Sequence, residues 1–396
     1  MDPIRLLADL VAIPSVNPMG RAVSGPQYLE TRMADYLVTF FDRIGVPCER
    51  KPVLPGRDNV IARYHAPDAP KHRVLLFDVH QDTVPVDGMT IDPFKPVVTD
   101  GRLMGRGSCD IKGGMAAMLA AFERLVRERP VGSASVVLAC TVDEEFTHRG
   151  SSQIAHDGVR ADLAVIAEPT LLNIVTCHKG ATRWKVRARG VACHSSTPER
   201  GDNAIYRMAR VVSLIRDYAA DLQRREPHPA LGPPSMSVGR IEGGQSVNIV
   251  PDWCEVEIDR RVIPGEVSSD CPYELRQFLQ EHLEEADFHA LEFLPPWVNL
   301  PALSDESSRD WVGELAAVVA MASGKTPTVH GVPFGTDAGP IAAMGVPCVV
   351  LGPGDIAQAH TKDEWVEIDQ VERAAETYFH LARALGKAPP APLLIA

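Results

Sequence analysis

The sequence predicts an α/β fold in which a mostly parallel mixed sheet, flanked by helices, is interrupted by an inserted α+β unit. Three observations carry this. Over the first 180 residues, short apolar β-rich runs alternate with helical patterns, as they do when helices cover a parallel sheet. After Lys179-Gly180 the texture changes to half-buried strands interleaved with amphipathic helices, a compact α+β pattern. Pro295-Pro296 then breaks the chain, and the α/β texture resumes. Residues 1–180 and 297–396 are therefore expected to form one discontinuous domain, with 181–296 inserted in it. A length of 396 residues suits two domains with sizeable cores.

In chain order, apolar residues at helical spacing predict helices over 4–11 and 27–44, the second through Leu29, Met33, Leu37, Phe40, Phe41 and Ile44. Strands are expected at 59–64, 74–79, 134–141, 163–167 and 174–177, with a helix at 113–128 between the second and third. The insertion reads as a strand at 182–189, a helix at 202–222, strands near 235–241 and 253–262, a helix at 272–285 and a closing strand at 288–294. A helix at 308–323 and a buried run at 346–351 return to the first domain, and a Pro-rich tail at 387–394 is expected to be loosely held.

Composition removes several classes of function. Fifty-two acidic against 40 basic residues give a net charge of -12, and no Lys/Arg block interrupts the surplus, so nucleic acid is not an expected partner. No window of 18 uninterrupted apolar residues offers a membrane span. Asp2 and Asp9 break up the N-terminal stretch where a signal peptide would need an apolar core, and a cytoplasmic location is expected. The eight cysteines contain no C-x-x-C pair, which fits reduced, mostly buried thiols.

Five acid- or histidine-bearing motifs follow apolar strands. His80-Gln81-Asp82 stands at the end of the run at 74–79, where an imidazole can bind a metal through one nitrogen while a carboxylate orients the ring through the other. Gly105-Arg106-Gly107-Ser108-Cys109-Asp110 leads into the helix at 113–128; it lacks the Gly-Lys-Ser/Thr ending of a phosphate loop, and Asp110 has both oxygens free to bridge two ions. Asp143-Glu144-Glu145 follows the strand at 134–141, and adjacent residues on extended chain point to opposite sides, so Glu144 and Glu145 can serve different tasks. Glu168 and His360 complete the set. Each motif alone has an ordinary explanation as a solvated turn or a satisfied histidine. Five of them at strand C-terminal ends of one α/β layer are better explained by one site. Two imidazoles and three carboxylates suit two divalent ions, Zn²⁺ first, with Co²⁺ or Mn²⁺ as alternatives.

Together with the LLADLVAIPSVNP opening, the motifs HQDTVP, GRGSCDIKGG, DEEF, AEP and AHTKDEW resemble the co-catalytic metallopeptidases and deacylases that include acetylornithine deacetylase, succinyl-diaminopimelate desuccinylase, aminoacylase and carboxypeptidase G. The resemblance spans nearly the whole chain. It implies that His80 and Glu168 hold one ion, Glu145 and His360 the other, and Asp110 both. It also implies that Asp82 orients His80, that Glu144 is general base and then acid, and that the peptide after Asp110 is cis. The insertion becomes a lid and dimerisation domain, so a homodimer is expected. His194 would reach the neighbouring subunit's site, Asn248 and Arg261 would contact a substrate carboxylate, and Gly335-Thr336-Asp337 would cradle the substrate through backbone groups. Arg260 competes with Arg261 for the carboxylate, and sequence does not choose between them.

What the resemblance implies as reaction is hydrolysis of the amide of an N-acyl amino acid. A carboxypeptidase, dipeptidase or desuccinylase is the alternative, and a free carboxylate on the small-molecule substrate is expected in every case. Glu at position 168 resembles the deacylase and carboxypeptidase branches more than the aminopeptidase branch, and GPGDIAQAHTKDEW leans toward the acetylornithine deacetylase group. A non-catalytic relative would have lost a ligand or the base, and none of these residues is missing. A dinucleotide enzyme would need an early G-x-G-x-x-G, which is absent.

Overall fold

Strand Val74–His80 is apolar except for Asp78 and His80 and is buried from Leu75 onward, and it occupies the middle of an eight-stranded sheet. The order is Cys48–Leu54, Arg57–Tyr64, Ser135–Thr141, Val74–His80, Leu163–Ile166, Cys348–Val350, Ile174–His178 and Val329–Val332. The four central strands run parallel. Antiparallel pairs flank them, at Cys48–Leu54 with Arg57–Tyr64, Arg57–Tyr64 with Ser135–Thr141, and Cys348–Val350 with Ile174–His178. Parallel strands end together, so the loops after His80, Thr141, Ile166 and Val350 leave from one edge of the sheet. The register sets His80 beside Thr141. The computed structural model describes residues 1–67 and 73–386, and the tail read at 387–394 lies outside the described residues.

Helices Pro3–Val11, Thr31–Arg43, Gly113–Glu128 and Ile368–Ala384 cover this sheet, joining Leu6, Leu10, Phe41, Met115, Phe122, Tyr378 and Phe379 to Leu75 and Phe77 in one core. Full burial of side chains of this size contributes about 1.5–3 kcal/mol each. Helix Thr31–Arg43 starts later than the apolar spacing predicts, because Leu29 adopts φ +67° and the Glu30 carboxylate is drawn onto Arg57. The last helix, Ile368–Ala384, was not among the elements expected from sequence.

The chain divides into two units, Met1–Thr176 with Ser304–His330 and Thr336–Ala396, and Cys177–Leu303 with Gly331–Gly335. The second unit has its own antiparallel sheet, ordered Ser235–Gly243, Trp253–Val262, Gly180–Arg189 and Leu291–Phe293. Burial alternates strictly along Trp253–Val262, the period expected of a strand with one covered face. Helices Ala204–Leu222 and Cys271–His282 supply that cover through Met208, Val211, Ile215, Leu275 and Leu279. The helix expected at 272–285 and the strand expected at 288–294 are corrected here. Leu283 and Glu284 are extended, a short helix Glu285–His289 follows, and only Leu291–Phe293 is strand. Phe288, expected to open that strand, sits in the short helix with its ring in the core.

Among the described residues, no helix is long and apolar enough to cross a membrane.

Candidate metal centre

The sheet edge brings five side chains together in the first unit. His80 Nε2 lies 3.2 Å from Asp110 Oδ1 and 3.8 Å from Glu168 Oε1. On the other side of Asp110, His360 Nε2 lies 3.3 Å from Oδ2 and 3.1 Å from Glu145 Oε2. His80, Asp110 and Glu168 thus form one group able to hold a metal ion, and Asp110, Glu145 and His360 form another, with Asp110 common to both. The two ends differ in access: the His80 side chain is 1% exposed, the His360 side chain 56%. The peptide between Asp110 and Ile111 is cis.

The donor set fits divalent cations on its own chemistry. Glu168 Oε1 is buried without a hydrogen-bond partner, an acceptor left for something other than protein. Burial, and then the neighbouring Asp110 charge, push Glu168 well above the usual carboxylate range and Glu145 up to about 7. Burial would raise Asp110 as well, but the His360 and His80 imidazoles outweigh it and hold this carboxyl low. Packed carboxylates that repel one another are the environment a cation relieves.

Glu144 follows in the same loop. Its Oε2 is 3.9 Å from His80 Nε2 and its Oε1 is 3.5 Å from His148 Nδ1. Burial and then Glu168 raise its pKa well above the ordinary value.

How the loop is held departs from what the sequence implied for Asp82. His80 Nδ1 is 2.9 Å from the Asp82 main-chain oxygen, whereas the Asp82 carboxylate stands 3.7 Å off. The ring is therefore fixed by a backbone carbonyl, which leaves Nε2 toward the centre. The Asp82 carboxylate instead accepts the main-chain N–H groups of Glu144 and Glu145, at 3.1 and 3.2 Å, and the Asn17 amide at 2.7 Å. It shapes the Glu144-Glu145 turn. Asp143, just before that turn, is left-handed with φ +64°, as are His148 at +54° and His360 at +61°. Such non-glycine geometry costs of order 1–3 kcal/mol and persists where surrounding bonds dictate it. At Asp143 those bonds come from Arg57, at 2.6 Å, and Asn17, at 3.0 Å.

The model of the peptidase family M20/M25/M40 matches residues 76–384, a span that includes all five ligand candidates and Glu144. The chain belongs to this family. As an M20 member it is a metallohydrolase acting on amide bonds. It is 33% identical to an acetylornithine deacetylase of Myxococcus xanthus over 361 residues, covering 89% of this chain and 91% of the relative. An M20 family metallo-carboxypeptidase from Sulfolobus solfataricus has the same fold, with a TM-score of 0.78 at 20% identity over 97% of this chain and 99% of the other. So has a dinuclear metal binding M20 peptidase from Bacillus subtilis, with a TM-score of 0.66 at 16% identity and 96% coverage of both chains.

The remaining candidates of this M20 chain lie elsewhere. His194, Asn248 and Arg261 belong to the second unit. His194 is exposed, with Nδ1 2.7 Å from Ser196 Oγ, and Asn248 Oδ1 accepts from Ser246 at 2.6 Å. Arg260 and Arg261 point to opposite faces of strand Trp253–Val262. Arg260 is 1% exposed and paired with Glu266 at 2.6 Å, while Arg261 lies on the partly exposed face beside Asp259 at 2.6 Å. Of the two, Arg260 is committed to the interior. Gly335 has Leu300 Cδ2 2.3 Å and the Lys179 carbonyl oxygen 3.1 Å from where a Cβ would stand, so a larger residue would require Leu300 to move. Thr336 is buried, its Oγ1 accepting from Ala338 N at 3.1 Å.

Two further contacts support the centre. Glu364, four residues beyond His360, accepts the main-chain N–H groups of Gly107, Cys109 and Asp110, each at 2.9 Å, and the Arg106 guanidinium at 2.8 Å. Truncation to alanine would strand a buried guanidinium and three buried amides. Glu364→Ala is expected to destabilise the protein by about 3–5 kcal/mol in denaturant titration; a loss under 1 kcal/mol would contradict this. The second is the pairing of His148 with Asp337 beside Glu144, two residues 189 positions apart with no shared motif.

Proposed function

We propose that this chain is a dinuclear deacylase that removes the acyl group from an N-acyl amino acid. The observation that supports it best is the pair of ligand groups sharing Asp110, with the Glu144 main chain held by Asp82 and its carboxylate 3.9 Å from His80 but in neither group. Likeness to acetylornithine deacetylases over about nine-tenths of the chain supports the substrate class. His80 and Glu168 would hold one ion, Glu145 and His360 the other, and Asp110 both, with Zn²⁺ favoured by the imidazoles and Co²⁺ or Mn²⁺ as alternatives. When bound, such ions supply Lewis acidity toward a carbonyl oxygen and acidify water.

The chain's own residues do the rest. Glu144 accepts the proton of the attacking water on its carboxylate and returns it to the leaving nitrogen, while Asp82 keeps the Glu144 and Glu145 amides in place. The ring of His80 is fixed by the Asp82 carbonyl. Arg261, rather than Arg260, grips the substrate carboxylate with its planar fork, and Asn248 assists. Gly335 and Thr336 line the substrate through backbone groups.

The second unit serves as lid and dimerisation domain, and His194 acts in the partner's site. Strand Ser235–Gly243 is an edge strand with Ile241 56% exposed, the kind of edge a second copy can cover. Sedimentation at micromolar concentration is expected to show a dimer; a monomer that is fully active would remove the role of His194. We place the enzyme in the cytoplasm.

The substrate class is tested by turnover of N-acetyl, N-succinyl and N-formyl amino acids beside dipeptides, with metal analysis on the same sample. At least one N-acyl amino acid is expected to exceed every dipeptide tenfold or more in kcat/KM. Dipeptides turned over faster than all acyl amino acids would replace the deacylase with a peptidase.

A further inference from the structure

Glu144, His148 and Asp337 form a third group of metal-ligating side chains in the first unit, separate from the two that share Asp110. One carboxylate oxygen from each acid and one imidazole nitrogen lie within 4.8 Å of one another. His148 Nδ1 is the hub, 3.0 Å from Asp337 Oδ1 and 3.5 Å from Glu144 Oε1. These separations match those of the other groups, where His80 and Asp110 are 3.2 Å apart and His360 and Glu145 3.1 Å. The three residues come from three segments: the turn after strand Ser135–Thr141, the residue before helix Arg149–His156, and the residue before the short helix Ala338–Ala342.

Two independent features favour a cation here. Asp337 is 1% exposed, and Thr141 Oγ1 donates to its Oδ2 at 3.0 Å and Ser151 Oγ to its Oδ1 at 2.6 Å, so the carboxylate is fixed in advance. Asp78, fully buried in the central strand two residues before His80, has neither carboxylate oxygen hydrogen-bonded. Two divalent ions at the Asp110 groups would leave Asp78, Glu144 and Asp337 as further carboxylates in the same neighbourhood. One imidazole and two carboxylates suit Zn²⁺ or Mn²⁺.

We propose that Glu144, His148 and Asp337 form a third, weaker divalent-cation site whose occupation ties up the Glu144 carboxylate and inhibits the enzyme at excess metal. The inhibitory consequence rests on Glu144 being the general base; the site itself does not.

The test is metal stoichiometry by equilibrium dialysis with Zn²⁺ and Mn²⁺ on the full chain, followed by activity over the same metal range. Wild type is expected to bind two ions tightly and a third at concentrations at least 100-fold higher, with activity falling as the third binds. His148→Ala and His148→Asn should keep the two tight ions, which also shows that they fold, and lose the third together with the inhibition. Binding that stops at two ions in wild type at every concentration would overturn the site, as would a third ion that persists in both variants. A third ion lost with His148 but without inhibition in wild type would leave the site standing and count against Glu144 as base.

Discussion

Glu144→Ala is expected to lose activity by about 10²–10⁴-fold, the range of a general acid–base contribution, while both metal ions are retained. The expectation comes from where the side chain sits. Its backbone is fixed by the Asp82 carboxylate, and neither of the groups built on Asp110 includes it. Metal analysis and kcat measured on one preparation separate the two possibilities. Activity within tenfold of wild type would remove Glu144 from the chemistry, and loss of metal along with activity would make it a ligand. Glu144→Gln keeps the shape and the contact to His148 but not the proton acceptor, so it should be as inactive as the alanine variant.

Asp110→Ala should be the most damaging single change to metal binding. Asp110 is the only residue common to both ligand groups, its Oδ1 facing His80 and its Oδ2 facing His360. Its removal takes a ligand from both ions at once and leaves three buried carboxylates with less to hold a cation among them. Metal content is expected to fall from two to at most one per chain. Activity should fall by more than the about 10–100-fold that loss of an outer partner of a metal site costs. A variant that keeps two ions at wild-type affinity would show that Asp110 is not shared. Asp110→Asn preserves the shape but removes the charge and one of the two oxygens, so it should also fail to serve both groups.

Much of this cluster was legible in the sequence because its candidate ligands sit where apolar strands stop. His80, Glu144, Glu145 and Glu168 stand at or just after the ends of apolar strands, and the strand order delivers them to one edge. The roles of second partners were less legible. An Asp two residues after His80 looks like the group that orients its ring, yet the carbonyl of the same residue does this and the carboxylate turns to the Glu144-Glu145 amides. Sequence spacing fixes which residue is near and says little about which of its oxygens is used. The pairing of His148 with Asp337, a residue read only as part of the substrate cradle, was missed for another reason: their contact joins segments 189 residues apart, and a histidine before a short helix carries no pattern of its own. The strand at 288–294 failed because its apolar residues also suit one turn of helix, and Leu283 and Glu284 break the preceding helix with no Gly or Pro to mark the stop.

The carboxylate of Glu364 gathers three amides of the 107–110 loop from more than 250 residues further along the chain. During synthesis, that loop and His80, Glu145 and Glu168 are made long before the segment that braces them, whereas Cys177–Leu303 is a continuous stretch with a core of its own. A ribosome-bound chain shorter than about 360 residues would carry four of the five candidate ligands and neither His360 nor the Glu364 brace. The His80, Asp110 and Glu168 group is thus complete early, whereas the group with Glu145 waits for His360 near the end of the chain.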